Sequence, residues 1–63
     1  MKQLVCETMH SPDDGGYYST LADRRTCKDV HTTDVFTEYS QAERAAQAWA
    51  KEHGYTVLAS FAV

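Results

Sequence analysis

The pattern of hydrophobic and polar positions is clearest between residues 41 and 53, where it has the period of an α-helix. Small or ring-bearing side chains recur there at spacings of three and four residues: Ala42, Ala45, Ala46, Trp49 and His53. Such spacing places them on one side of a helix with 3.6 residues per turn. Ser40 and Glu43 have the spacing of an S-x-x-E capping box, and Gly54 stands where many helices end. We therefore expect a helix at about residues 41–53.

Shorter patterns on both sides of this helix predict strands. Segment 55–63 alternates, and one set of alternate residues should lie under the helix: Tyr55, Val57, Ala59, Phe61 and Val63. Upstream, segments 2–9, 17–22 and 28–37 are strand-like, and turn-forming residues separate them at 11–16 and 23–26. The order β-β-β-α-β predicts a single α+β domain over residues 1–63. A three-stranded antiparallel meander, the helix and a C-terminal strand would form two layers and leave one sheet face uncovered.

Size and charge narrow the classes of function. A chain of 63 residues buries only about 60% of its unfolded surface, which leaves little interior for a cofactor. The net charge of −3 disfavours non-specific attraction to nucleic-acid backbones and anionic lipids. Glu7 interrupts the first apolar run, so we expect no signal peptide. No apolar stretch is long enough for a membrane span, so we expect none. The expected location is the cytoplasm.

Two C-x-x-x-H spacings suggest a possible metal site. Cys6 with His10, and Cys27 with His31, would supply the four ligands of a tetrahedral zinc ion. On a strand, however, residues four apart are separated by about 13 Å along the chain direction. Part-buried thiols and polar imidazoles are the simpler interpretation, and a zinc-stabilised mini-domain is kept as an alternative.

Candidate catalytic groups are few. His10, His31 and His53 are the side chains that could act as bases near neutral pH, and the position of His53 at the end of the helix favours a capping role. The sequence contains no nucleophile elbow, phosphate-binding loop or catalytic carboxylate pair. We therefore predict a protein that is not an enzyme and uses no cofactor.

One basic cluster offers a second alternative. Arg24, Arg25 and Lys28 lie close together in sequence, and the chain's tyrosines could stack on bases. The neighbouring Asp23 and Asp29 offset this charge, so a solvated turn is the simpler interpretation. A small nucleic-acid-binding regulator stays open as an alternative function.

Two stretches resemble known families. Gly15-Gly16-Tyr17-Tyr18, and Phe36-Thr37 followed by Ser40-Gln41-Ala42-Glu43-Arg44-Ala45, look like the hairpin and capped helix of HicB-type antitoxins. That resemblance implies a β-β-β-α-β domain that covers a small toxin ribonuclease. The helix entry also resembles the arm-binding domains of phage integrases, which read DNA with a three-stranded sheet. No functional residue is carried over from either family, because the loop at 22–25 departs from the first and the acidic charge from the second.

Taken together, these features favour a small non-catalytic protein-binding module. The prediction is a phage or mobile-element accessory protein that inhibits its partner stoichiometrically, of the anti-CRISPR, anti-restriction or antitoxin type. Carboxylates beside aromatic rings make good interface anchors, so the expected contact residues are Asp13, Asp14, Tyr17 and Tyr18. The partner would carry a basic surface, and a homodimer formed through an apolar edge strand is compatible with this function.

Overall fold

Four strands and one helix are formed by residues 3–63, the part of the chain that the computed structural model describes. The strands are β1 (Gln3–Ser11), β2 (Gly16–Asp23), β3 (Asp29–Thr32) and β4 (Thr56–Ala62), with helix α1 (Tyr39–Glu52) between β3 and β4. The α+β prediction is confirmed, including the antiparallel meander, the helix and the C-terminal strand. Within this range no helix is long and apolar enough to cross a membrane.

The sheet is mixed, and its strands lie in the order β3-β2-β1-β4. β1 and β2 form an antiparallel hairpin, and β3 pairs with β2 in the same sense. After α1 the chain returns to the other side of β1, where β4 runs parallel to it. Therefore β1 is an interior strand, and β3 and β4 are the edges of the sheet.

The core lies between α1 and one face of the sheet. Two alanines of the helix, Ala46 and Ala50, are buried against Leu4, Cys6 and Leu21 of the first two strands. Ala42 of the helix is also buried. Alanine lacks a long side chain, so it lets the helix axis approach the sheet closely. The resulting core is thin and built mostly from small residues, and Trp49 covers its margin as a half-buried ring.

The helix begins earlier than the sequence pattern predicts. Its N-cap is Glu38, which forms a capping box with Gln41, and Gln41 Oε1 accepts from the backbone N–H of Glu38 at 3.2 Å. The predicted Ser40–Glu43 box is therefore wrong, because Ser40 already lies inside the first turn. At the other end His53 is the C-cap, and Gly54 follows with φ of 76°, as expected for the left-handed residue after a helix.

The predicted side-chain alternation of β4 is correct only at its start. Val57 pairs with Leu4 and faces the helix, but the next residue of β1, Val5, pairs with Ala59. Leu58 is thus the extra residue of a β-bulge, and such an insertion reverses the faces of the residues that follow. Ala59 and Phe61 consequently lie on the uncovered face, contrary to the prediction, and Ser60 faces the helix, where its hydroxyl donates to Glu43 Oε2 at 2.7 Å.

The third strand is much shorter than the predicted segment 28–37. The regular strand ends at Thr32. Thr33 still donates its backbone N–H to the carbonyl oxygen of Ser19, and its Oγ1 accepts from the N–H of Ser19, both at 2.9 Å. The chain returns at Phe36, which exchanges two backbone hydrogen bonds of 2.7 Å with Tyr17. This crossing passes over Gly16, and a Cβ atom there would collide with the carbonyl oxygen of Phe36. Only glycine fits that position without movement of the crossing segment.

Candidate functional site

The sheet face opposite α1 is left uncovered by the fold, and we call it the open face. In β1 the residues alternate, so Leu4, Cys6 and Thr8 are buried under the helix and their neighbours point the other way. Three rows of paired residues cross the open face: one of Ala59, Val5, Ala22 and Asp29, one of Phe61, Glu7, Thr20 and Thr32, and one of Met9 and Tyr18. Most of these side chains are half-buried or exposed in the monomer.

The open face is concave. Side chains of the first three strands and of the turn after β2 surround a concavity of about 650 Å³. Its floor includes apolar side chains, among them Val5, Met9 and Ala22. This volume is in the range of small-molecule sites, but it lies on the outer side of the sheet and opens to solvent. The sequence-based expectation of little interior space therefore applies to the core, and the usable space is outside it.

Tyr18 and Met9 form one end of this concavity. They are directly paired across β1 and β2, and the Tyr18 hydroxyl lies 3.8 Å from the Met9 sulfur. A thioether adapts its shape to a contacting surface, and a tyrosine presents an apolar ring with a polar tip. This pair has the chemistry of an interface anchor.

The charges around the concavity are unequal. Among the described residues that line it, three are carboxylates and one is a guanidinium: Glu7, Asp23, Asp29 and Arg24. Asp23 Oδ1 accepts from the backbone N–H groups of Arg25 at 2.7 Å and Thr26 at 3.3 Å, which fixes the turn. Glu7 and Asp29 are exposed. The open face is therefore an apolar floor with an acidic balance of charge at its margin.

The four residues predicted to bind a partner lie in different parts of the structure. Asp13 and Asp14 are exposed in the turn between β1 and β2, where Asp14 Oδ2 accepts from the Ser11 hydroxyl at 3.1 Å. Tyr18 lies on the open face, but the Tyr17 ring lies on the helix side, with its centroid 6.1 Å from that of Tyr39. Adjacent residues of a strand point to opposite faces, so these four side chains do not form one patch.

The basic residues of the nucleic-acid alternative share one exposed turn. Arg24, Arg25 and Lys28 are all exposed, and Arg24 lines the concavity. The turn is held by backbone bonds from Asp23 to Lys28 and from Cys27 to Asp23, both 2.8 Å long. Carboxylates at residues 23 and 29 stand at either end of the turn, which limits its positive potential.

The two C-x-x-x-H pairs are not brought together. Cys6 is buried under the helix, whereas Cys27 is exposed and lines the concavity on the other face. His10 and His31 lie on the helix side of β1 and β3, each against a different aromatic ring. Within residues 3–63 no group of three or more His, Cys, Asp or Glu side chains has the geometry to hold a metal ion, and both cysteines are free thiols.

Each of the three imidazole rings contacts an aromatic side chain. His31 and His53 stack on the two faces of Trp49, with centroid distances of 4.3 Å and 4.1 Å and interplanar angles of 3° and 20°. The His10 ring meets Tyr17 edge-on at 5.3 Å. His53 Nδ1 also lies 2.8 Å from the carbonyl oxygen of Trp49, one turn earlier in the helix. These contacts assign the three rings to packing and helix termination.

Comparison of the chain with protein-family models, curated proteins and solved structures finds no match. The resemblances to HicB-type antitoxins and integrase arm-binding domains therefore stay predictions. Sequence reasoning missed most of the open face, namely Val5, Glu7, Met9, Thr20 and Phe61. Alternation within β1 and β2 carried the signal for the first four, but the bulge in β4 hid the last.

Proposed function

We propose that this protein is a non-catalytic protein-binding module that uses the open face to bind a basic segment of its partner. The observation that supports this proposal is the concavity of about 650 Å³ on the side of the sheet that α1 leaves uncovered. An antiparallel hairpin with one packed face and one accessible face is suited to this role. Binding would be stoichiometric, because each protein molecule would hold one partner and would not release a product.

The chemistry of the open face favours a particular kind of partner. The floor formed by Val5, Met9 and Tyr18 matches apolar side chains, which supply most of the binding free energy at an interface core. Glu7 and Asp29 at its margin match lysine or arginine and suppress acidic competitors. A segment with one apolar face and flanking basic residues meets both requirements.

A titration with designed peptides tests this proposal. We suggest following backbone amide NMR signals while adding a Leu/Lys amphipathic peptide, a matched Leu/Glu peptide and a matched Leu/Gln peptide. The expected result is binding of the Lys peptide, with the largest shifts at Val5, Glu7 and Tyr18. Affinity for the Lys peptide should fall with added salt, because salt screens the attraction between exposed charges; the Debye length is about 10 Å at 0.1 M ionic strength.

Variants locate the interaction. Met9→Asp should abolish binding of the Lys peptide, and Glu7→Gln with Asp29→Asn should weaken it about tenfold, equivalent to about 1.4 kcal/mol. Gln47→Ala, on the exposed surface of α1, is the matched control and should bind normally. Equal affinity for the Lys and Glu peptides, or shifts confined to α1, would contradict the proposal.

The same titration discriminates the nucleic-acid alternative. Mixed-sequence single-stranded DNA and RNA are added at low salt, where phosphate contacts are strongest. Shifts at Arg24, Arg25 and Lys28 with nucleic acid, and none with the Lys peptide, would favour that alternative. Inhibition of a phage or mobile-element type and a cytoplasmic location stay predictions from the sequence.

A further inference from the structure

Most of the large hydrophobic side chains that are exposed in the described residues belong to β4 or follow it directly. Four large hydrophobic side chains are exposed in residues 3–63, and three of them lie on or directly after β4: Leu58 at 45%, Phe61 at 54% and Val63 at 76%. The fourth, Val35 at 41%, lies in the segment between β3 and α1. The exposed apolar surface is thus concentrated at one edge of the sheet.

This edge also offers hydrogen-bonding groups. A strand in a ladder directs part of its backbone N–H and C=O groups toward each side, and β4 has a neighbour, β1, on one side. A protein usually guards such an edge with charged residues or proline. Segment 56–63 contains neither.

The opposite edge of the sheet is guarded. β3 has four residues, begins with the exposed Asp29 and is interrupted by a register shift. The chain then passes Asp34 before it pairs again at Phe36. Short length and charge are features that prevent strand addition, and β4 has neither. The contrast between the two edges points to a partner strand on β4.

We propose that β4 pairs antiparallel with β4 of a second copy of this chain, which joins the two sheets into one. A two-fold axis brings every residue of the segment near its own counterpart, so a charged strand would face like charge across the axis. β4 is uncharged although the chain carries a net charge of −3, so self-pairing brings no like charges into contact there. The two strands are therefore compatible with each other, and the carboxylate of Glu43, which accepts from the Ser60 hydroxyl at 2.7 Å, lies on the helix side of the contact.

The register follows from the side-chain faces. With the axis at Phe61, Phe61 lies opposite its counterpart in the second copy, and Ala59 lies opposite Val63, all on the open face. A shift of one residue would place helix-side residues opposite open-face residues, which a continuous sheet does not allow. In this arrangement both helices lie on the same side, and the two open faces become one continuous surface. The dimer is independent of what the open face binds.

Sedimentation of the whole chain from micromolar to millimolar concentration tests the proposal. We expect a reversible monomer–dimer equilibrium, and Phe61→Lys should raise the dissociation constant at least about tenfold. Val35→Lys is the matched control, because it adds the same charge to the exposed hydrophobic residue outside β4. Circular dichroism establishes that both variants remain folded.

Amide hydrogen exchange locates the contact. Raising the protein concentration should slow exchange at Ser60 and Ala62, whose N–H groups point away from β1 because that of Val63 bonds to Thr8, and should leave β3 unchanged. A monomer at every concentration would overturn the proposal. A dimer that Phe61→Lys leaves intact, one that Val35→Lys disrupts equally, or protection that appears on β3 would overturn it as well.

Discussion

Thr8 and Ser19 face each other across the hairpin under α1, and their hydroxyl oxygens lie 2.6 Å apart. Both side chains are buried, so neither hydroxyl has water as an alternative partner. Each is satisfied by the other, and a change to one of them affects both. Among the described residues, Thr8 and Ser19 are the two polar side chains with an exposure of 1% or less.

This pairing predicts a strongly non-additive mutant cycle. Thr8→Val or Ser19→Ala alone should lower the free energy of unfolding by about 1–3 kcal/mol, because each leaves a buried hydroxyl without its partner. The double variant should lose less than the sum of the two, since no orphan hydroxyl remains. Urea unfolding of all four proteins measures the coupling. Additive losses would show that the hydroxyls do not depend on each other.

The position of the helix cap is tested by two substitutions one residue apart. Gln41→Ala removes the acceptor of the Glu38 N–H and should lower the free energy of unfolding by about 0.5–1 kcal/mol. Ser40→Ala should change it little, because alanine is the better helix former inside the first turn. Thermal unfolding compares them. A larger loss for Ser40→Ala would restore the cap predicted from sequence.

The crossing segment over Gly16 predicts a steric requirement. In Gly16→Ala the added methyl group would lie 2.7 Å from Val35 Cγ1 and would also meet the carbonyl oxygen of Phe36. Overpacking of this kind costs about 1–3 kcal/mol. The neighbouring Gly15→Asn should be tolerated better, since φ is 68° with open space around it and asparagine accepts that conformation. Equal stability of Gly16→Ala and wild type in urea unfolding would contradict this.

The ring stack predicts that Trp49 contributes more to stability than its half-buried state suggests. Trp49→Ala removes contacts to His31, His53 and Tyr55 and should lower the free energy of unfolding by about 2–3 kcal/mol. Gln47→Ala, exposed on the same helix, is the control and should stay within about 0.5 kcal/mol of wild type. If Trp49→Ala lowers the free energy of unfolding only slightly, the ring stack contributes little to stability.

Local chemistry explains which parts of the fold could be predicted from the sequence. The helix and both turns depend on residues that are neighbours in sequence, such as the alanine stripe and Gly54, so a one-dimensional pattern contains them. The helix start could not be predicted in this way, because Ser40 and Glu43 have the residue types of a capping box, whereas the cap in the structure is Glu38 with Gln41.

The candidate site was harder to predict from the sequence, because it depends on pairing between strands that are distant in sequence. The bulge at Leu58 reverses the second half of β4, and nothing in that uncharged segment marks the position. Without this reversal Phe61 would be assigned to the core. By contrast, the grouping of Tyr17 with Tyr18 disagrees with the predicted strand 17–22 itself, because adjacent residues of a strand point to opposite faces.

The interior position of β1 has a consequence for how the molecule is made. β1 leaves the ribosome before the other strands, yet one of its two neighbours is β4, more than forty residues later in the chain. Until residues 56–62 emerge, one side of β1 remains without a partner strand, and non-local pairings of this kind close slowly. During synthesis the nascent hairpin therefore exposes an incomplete edge, which is the stage at which association with the wrong chain is easiest.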